Sequence, residues 1–321
     1  MNSHAIRHIL HQHRSFLFAT LLCLLFSPSI LAQPRKAAAL RPITVVTEPR
    51  STVWIDGVRY GVTDDSGRLE ISGIPAGVRS IRVRAAGFAE ANQSLPATAR
   101  GEVSIKLTKT TDEADLAFQF GETLVGVDRE KAIGEYNRAI KLRPRHFAAH
   151  LALARAYSDR GEIENAYKAL QSAKRIRPTD AEATAVEGRL LKDGGDEAKA
   201  IAAFKRAITL GKGFQPEAYT GLGLLYKERA ENAGGSSDFE SERANYDESI
   251  KHLATAVKQL GSSPDAMVVY QLLGLIYERQ KRYREAISLY EDFLQLFPNT
   301  SEAGAVESFI VQIKKQMAEQ Q

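Results

Sequence analysis

Two different periods run along this chain of 321 residues. In the first third the period is two: Ile43, Val45 and Thr47 alternate with Thr44 and Val46, and further strand-like runs follow at 52–56, 68–72, 79–85 and 102–107. Turn residues separate these runs, notably Asp56-Gly57, Asp64-Asp65-Ser66-Gly67 and Pro75-Ala76-Gly77. Short alternating runs at this spacing predict a small all-β sandwich. From Asp112 onward the period becomes helical, and the pattern repeats. Ala132, Tyr136, Ala139 and Pro144 recur as Ala166, Leu170, Ala173 and Pro178, then as Ala200, Phe204, Ala207 and Lys212, at an interval of 34 residues each time. Alanine is required where two helices touch, and the large residue fills the space beside it.

The fullest copy lies at 267–300, where Tyr270, Leu273, Gly274 and Tyr277 share one helical face and Ala286, Tyr290, Phe293 and Pro298 follow. This order resembles the tetratricopeptide repeat, a 34-residue helix-turn-helix unit. One unit cannot bury both of its apolar faces alone, so the resemblance implies a stack of units forming an all-α superhelical solenoid. Five units are expected, at 113–146, 147–180, 181–214, 216–266 and 267–300. The first helix of unit one reads weakly, because Phe120-Gly121 stands one place late for the Leu-Gly pair. Unit four opens with Tyr219, Leu222, Gly223 and Tyr226, but its second helix, marked by Ser249, Leu253 and Ala256, arrives 14 residues late. The excess contains Ala233-Gly234-Gly235-Ser236-Ser237, which predicts a projecting loop or an extended helical hairpin. Residues 301–321 read as a capping helix, with Val306, Phe309, Ile310 and Ile313 toward the stack and Lys314, Lys315 and Gln316 outward.

The β segment, 43–109, resembles a PEGA domain. The residues that carry the likeness are Thr47-Glu48-Pro49, Val53-Trp54-Ile55-Asp56-Gly57, Gly61-Val62-Thr63, Ile74-Pro75-Ala76-Gly77 and Arg84-Ala85-Ala86-Gly87-Phe88. The eponymous tetrapeptide is degenerate, Pro49-Arg50-Ser51-Thr52, and Asp64 stands where a proline often follows. Trp54, the only tryptophan, is expected in core or interface packing rather than as a sugar-stacking platform.

The N-terminus changes the picture of where the chain works. Arg7 and Arg14 precede the apolar run Phe16–Phe26, then Pro28 and Ile30-Leu31-Ala32. This is the layout of a secretory signal peptide over 1–32, followed by a linker at 33–42. An uncleaved membrane anchor is the alternative, although the run is short for a span of about 20 residues. Cys23 is the only cysteine, and Leu21-Leu22 precede it where a lipobox would place a small residue, which argues against lipid anchoring. Cleavage would leave no cysteine, and therefore no disulfide or thiolate chemistry. It would also remove Arg7 and Arg14 from the formal net charge of +4, and a near-balanced surface excludes a nucleic-acid footprint.

Candidate chemistry is sparse. His146 and His150 stand four apart, but no third metal ligand is indicated and they read as helix-start residues. Asp64-Asp65 lack the alternate oxygen ligands of a calcium loop and read as a turn. No nucleophile elbow, phosphate loop or dinucleotide fingerprint occurs, so no cofactor and no catalysis are expected. In the proteins the helical part resembles, the concave face holds an extended peptide or partner helix. The corresponding positions here are Leu151, Arg155, Asp159, Arg189, Lys192, Leu224, Lys227, Glu228, Gln271, Leu275 and Arg279. Cations there would grip carboxylates; the equally open reading is solvated helix charge. The carboxylate clamp for chaperone tails is not matched, since Ala117 and Gly121 stand at its positions. The functional expectation is a non-catalytic scaffold or adaptor of the bacterial cell envelope with a protein or peptide partner. Alternatives are polysaccharide binding through the β segment, with the repeats as spacer, and an accessory subunit of an envelope enzyme or secretion complex.

Overall fold

The computed structural model describes residues 40–319; the expected signal segment, Cys23 and most of the linker lie outside the described residues. Among the described residues seven strands come first along the chain: β1 (Arg41–Val46), β2 (Thr52–Ile55), β3 (Val58–Val62), β4 (Arg68–Ile74), β5 (Arg79–Arg84), β6 (Ala91–Leu95) and β7 (Gly101–Ser104). They make two sheets, ordered β4-β1-β7 and β3-β2-β5-β6. All neighbours are antiparallel except β1 and β7, which run parallel. Alternation decides which side chains go inside. Ile43, Val45 and Ile71 from one sheet meet Val53, Ile55, Ile81 and Val83 from the other, all essentially buried. Two strands fall outside the predicted runs. β3 carries Gly61 at a positive φ of 150°, and β6 is the mostly polar Ala-Asn-Gln-Ser-Leu at a sheet edge.

Eleven helices follow among the described residues: α1 (Glu113–Leu124), α2 (Arg129–Leu142), α3 (Phe147–Ser158), α4 (Ile163–Ile176), α5 (Ala181–Asp193), α6 (Glu197–Leu210), α7 (Pro216–Gly235), α8 (Phe239–Leu260), α9 (Pro264–Arg279), α10 (Tyr283–Leu296) and α11 (Ala303–Glu319). Their starts are chemically marked. Asp112, Asp128, Asp180, Asp196 and Asp238 each accept a hydrogen bond from a first-turn N–H, satisfying donors that a helix leaves open.

The helices pack in pairs by setting a glycine of one against a large side chain of the other. Gly121 lies under the Tyr136 ring, Gly188 and Gly221 enclose the Phe204 ring from two sides, Gly223 receives Leu253, and Gly274 receives Tyr290. Gly121, late by one place in the repeat register, thus occupies the same structural role as the others. The extra residues of unit four form an extended helical hairpin, because α7 has 20 residues and α8 has 22. Ser249 anchors it, donating from Oγ to the Gly223 carbonyl at 2.7 Å. In α11, Val306, Ile310 and Ile313 are buried, whereas Phe309 remains 43% exposed.

The sandwich is not a separate bead on the solenoid. The buried cluster of its core continues into the cores of α8 to α11. Ser262, after α8, donates its backbone N–H to the Gly73 carbonyl at 2.9 Å, and its Oγ accepts from the Gly73 N–H at 2.9 Å. Ser72 Oγ donates to the Leu296 carbonyl at 3.0 Å. The approach requires glycine: a Cβ on Gly261 would stand 2.7 Å from the Gly73 oxygen and 2.9 Å from the Tyr60 hydroxyl. At the other end the sandwich holds α1. The Gln119 side chain donates to the Phe88 carbonyl at 2.8 Å and accepts from the Gly87 N–H at 3.0 Å. The same small domain therefore touches the first and the last repeats.

Candidate interaction groove

Strand alternation gives the sheet β3-β2-β5-β6 two faces. Its inner face is the sandwich core; its outer face carries the cross-strand row Arg59, Trp54 and Arg82, with Arg84 beside it. That outer face meets the solenoid. Arg84 lies between two aromatic rings, 5.0 Å from the Trp54 centroid and 4.5 Å from that of Phe118 in α1. It also pairs with Glu90 at 2.5 Å and with Glu122 of α1 at 3.1 Å. Cation–π stacking and charge-assisted bonds together offset the cost of burying this guanidinium, which is only 9% exposed. Arg82 stacks on the same indole at 4.6 Å. Trp54 is therefore an interface residue with two guanidinium groups against its ring.

Between the β2–β3 hairpin and the concave face is a cavity of about 770 Å³. The hairpin contributes Trp54, Asp56 and Arg59, and helices α3, α5, α7 and α9 contribute the opposite wall. Arg155 crosses the floor of this wall. It reaches Glu182 of α5 and Glu217 of α7, each at 2.6 Å, so three successive repeats are tied by one side chain. Burial works against the Arg155 charge, but Glu217 and Glu182 outweigh it and raise its pKa. For Glu182, burial pushes the carboxyl up, while Arg155, with Arg82 and Arg84 of the sheet adding to it, brings it below its usual range. Burial raises the Asp265 carboxyl, and Arg59 opposes that shift. These influences reach across the cavity, and both of its walls are of mixed charge: the hairpin brings Asp56 and Arg59, and the concave face brings Arg155, Arg189 and Lys192 beside its acids.

The eleven residues that repeat register assigns to the concave face do not form one set. Arg155, Arg189, Lys192 and Leu224 line the cavity. Asp159 lies 4.0 Å from Arg189, Lys192 is 3.1 Å from Asp193, and Lys227 pairs with Glu231 at 2.7 Å. Leu151 is buried within α3 at 4% exposure. Glu228, Gln271 and Leu275 are exposed, and Arg279 stacks over Tyr246 at 5.4 Å and pairs with Glu242 of α8 at 3.3 Å. Of the opposing set, Trp54 was expected from sequence in core or interface packing, whereas Arg59, Arg82 and Arg84 with Glu182, Glu217 and Asp265 were not reached. Its one signal is the strand Arg79-Ser-Ile-Arg-Val-Arg84, in which Ile81 and Val83 point inward and the two arginines must face out.

The two histidines have local roles. His146 caps α3 and accepts from the Ala149 N–H at 3.2 Å, and the His150 ring is 3.0 Å from the Pro144 carbonyl. Asp64 closes its turn by accepting from the N–H groups of Ser66 and Arg68. Among the described residues no helix is long and apolar enough to cross a membrane.

Comparison with known proteins agrees with the helical architecture. Family profiles described as tetratricopeptide repeat match residues 128–190 and 228–299. No curated protein matches the chain. Among solved structures, yeast Tom70 is similar at 19% identity and a TM-score of 0.50, over 65% of this chain and 41% of that one. The APC/C hetero-tetramer Cut9-Hcn1 gives 18% identity and 0.47, over 64% and 37%. TTC0263, a thermophilic protein of Thermus thermophilus, gives 16% and 0.46, over 62% and 98%. The chain thus spans under half the length of the first two. Its helical part is built of tetratricopeptide repeats.

Proposed function

We propose that the protein is a non-catalytic interaction scaffold of the bacterial cell envelope, and that its partner enters the cavity between the β2–β3 hairpin and the concave face. The observation that carries this reading is the cavity itself. At about 770 Å³ it has the size of a ligand site, it lies between two domains, and it mixes apolar walls from Leu224 and Val268 with charged groups. A roofed groove of this kind takes a short segment of a protein rather than a long helix laid along the solenoid. The envelope assignment rests on the charged, apolar, small-residue order of residues 1–32, and the PEGA resemblance of 43–109 is its companion.

The test is site-specific photo-cross-linking of the full-length protein in its native cell, with probes at Leu224 and Lys192 and, as a contrast, at the exposed Lys168 of α4. One recurrent protein linked from the cavity positions, and lost when Leu224→Arg closes the cavity, supports the reading. Links to a recurrent partner only from Lys168 would overturn it.

A further inference from the structure

We propose that Arg189 is the anion receptor of the cavity: the partner ends inside it, giving its C-terminal carboxylate to the Nε–Nη2 edge of this guanidinium and an aliphatic side chain to Leu224. This deepens the scaffold reading above and rests on it. The choice of Arg189 follows from which of the cavity's charges the fold already uses.

Both walls carry charge of both signs, and nearly all of it is bonded. Glu182 and Glu217 each hold Arg155 at 2.6 Å. Lys192 is 3.1 Å from Asp193. On the hairpin, Asp56 accepts from Arg79 at 3.1 Å and from the Ser80 N–H at 2.7 Å. Arg59 acts on Asp265, whose carboxyl burial pushes toward the neutral form. Arg189 is different. Its Nη1 comes no nearer to Asp159 than 4.0 Å, too far for a hydrogen bond. Its Nε and Nη2 are covered from water and have no hydrogen-bond partner. Folded chains pair nearly all of their buried donors, so a guanidinium edge left in this state points to an acceptor from outside the fold.

The identity of that acceptor follows from the donors. Nε–H and Nη2–H are the two parallel donors on one edge of a guanidinium, the fork that takes both oxygens of a carboxylate. The Arg189 side chain lines the cavity and is 30% exposed. No hydrogen bond holds it, so rotation about its terminal torsions brings that edge to an entering carboxylate. Helix α7 packs beside α5 and presents the half-buried Leu224 to the same cavity, and Val268 of α9, 69% exposed, adds a second apolar wall. The last residue of a chain carries a carboxylate and a side chain together. An internal aspartate or glutamate would bring two strands of chain beneath the β2–β3 hairpin, past Asp56 and Asp265; a chain end brings one.

The test presents the immobilised full-length protein with a pool of random N-acetylated hexapeptides ending in a free carboxyl, and with the same pool ending in a carboxamide, and reads retention by mass spectrometry. The wild type is expected to retain the free-carboxyl peptides about tenfold better, as one charge-assisted pair supplies, with leucine, isoleucine and valine enriched at the last place. Arg189→Gln should lose this preference, and Arg189→Lys, which keeps the charge without the fork, should keep only part of it. Lys227→Gln should keep all of it, because Lys227 is already paired with Glu231 at 2.7 Å. Since the fold makes no hydrogen bond to Arg189, Arg189→Gln should leave the thermal midpoint unchanged, whereas Arg155→Gln, which strips Glu182 and Glu217 of their counter-ion, should lower it. Equal retention of the two pools, retention of neither, or a preference that survives Arg189→Gln would overturn the proposal, as would a midpoint lowered by Arg189→Gln. Enrichment of internal aspartate or glutamate in both pools, lost in that variant, would overturn the chain end in favour of an acidic side chain. None of these results touches the scaffold reading, which stands or falls on the cross-links from Leu224 and Lys192.

Discussion

At the scale of single residues, this solenoid is decided by where glycine faces a ring. A Cβ placed on Gly188 would lie 2.5 Å from Phe204 Cδ1, and the same ring is pressed from its other side by Gly221. Phe204 is 1% exposed and has nowhere to move. Alanine normally favours a helix by about 1 kcal/mol over glycine, while overpacking a core costs about 1–3 kcal/mol. Gly188→Ala is therefore expected to lower the urea midpoint despite its better propensity. Gly134 of α2 is the control, being exposed with open space where its Cβ would go; Gly134→Ala should raise the midpoint. Equal shifts from the two would show that propensity, not packing, sets these positions.

His146 gives a prediction of a different kind. Burial first, and then the Arg143 charge, hold its pKa below the ordinary 6.5, with Asp115 opposing them. The unfolded chain binds a proton there before the folded chain does, so stability is full above pH 6.5 and is lost as pH falls through the lowered folded value. His252 is shifted the same way, mainly by burial. His146→Asn keeps a side chain that caps helices well and removes the titration. Its loss of stability between about pH 7 and pH 5.5 should be smaller than that of the wild type, with the remaining slope belonging to His252. An unchanged slope in urea unfolding would mean that His146 is solvated enough to titrate normally.

At the scale of elements, legibility followed period. The helices could be read because a 34-residue interval fixes small and large residues together, as in Ala132, Tyr136 and Ala139. β3 and β6 could not, because edge strands tolerate Gly61 or a run such as Asn92-Gln93-Ser94 that has no apolar alternation to show. The candidate site divides along the same line. Arg155, Arg189, Lys192 and Leu224 follow from repeat register, whereas the partners of Arg155 come from α5 and α7, at 27 and 62 residues' remove, and Arg82 comes from another fold altogether. Long-range pairing of that kind leaves no local mark in a sequence. The joint between sandwich and solenoid is likewise invisible until Gly261 is placed against Gly73. Its consequence is testable: Gly261→Ala puts a methyl group within 2.7 Å of the Gly73 carbonyl and 2.9 Å of Tyr60. It should break the paired Ser262–Gly73 hydrogen bonds and speed hydrogen exchange at Gly73 and Ser262, while α3 to α5 exchange as before.

At the scale of the whole molecule, the sandwich changes what kind of solenoid this is. In an open repeat array each unit touches only its neighbours, so stability is a sum of local terms and the ends can fray independently. Here one domain is held by Gln119 and Glu122 in the first repeat and by Ser262 and Leu296 near the last, so the two ends share a partner. Fraying either end first costs contacts that also support the other. The expected result is a single cooperative loss of α1 with α9 and α10 in native-state hydrogen exchange, at one common opening free energy. Glu122→Lys breaks the Arg84 pair of the first-repeat attachment and the Tyr136 hydroxyl bond within that repeat, and leaves the attachments near the last repeat intact. It should lower the opening free energy of α1 while leaving α9 and α10 higher, because the apolar joint around Tyr60 and Leu260 is untouched. If α1 already exchanges independently of α9 and α10 in the wild type, the clasp carries no coupling and the array is an ordinary open one. A common opening that splits in the variant makes the sandwich the element that couples the two ends of the array.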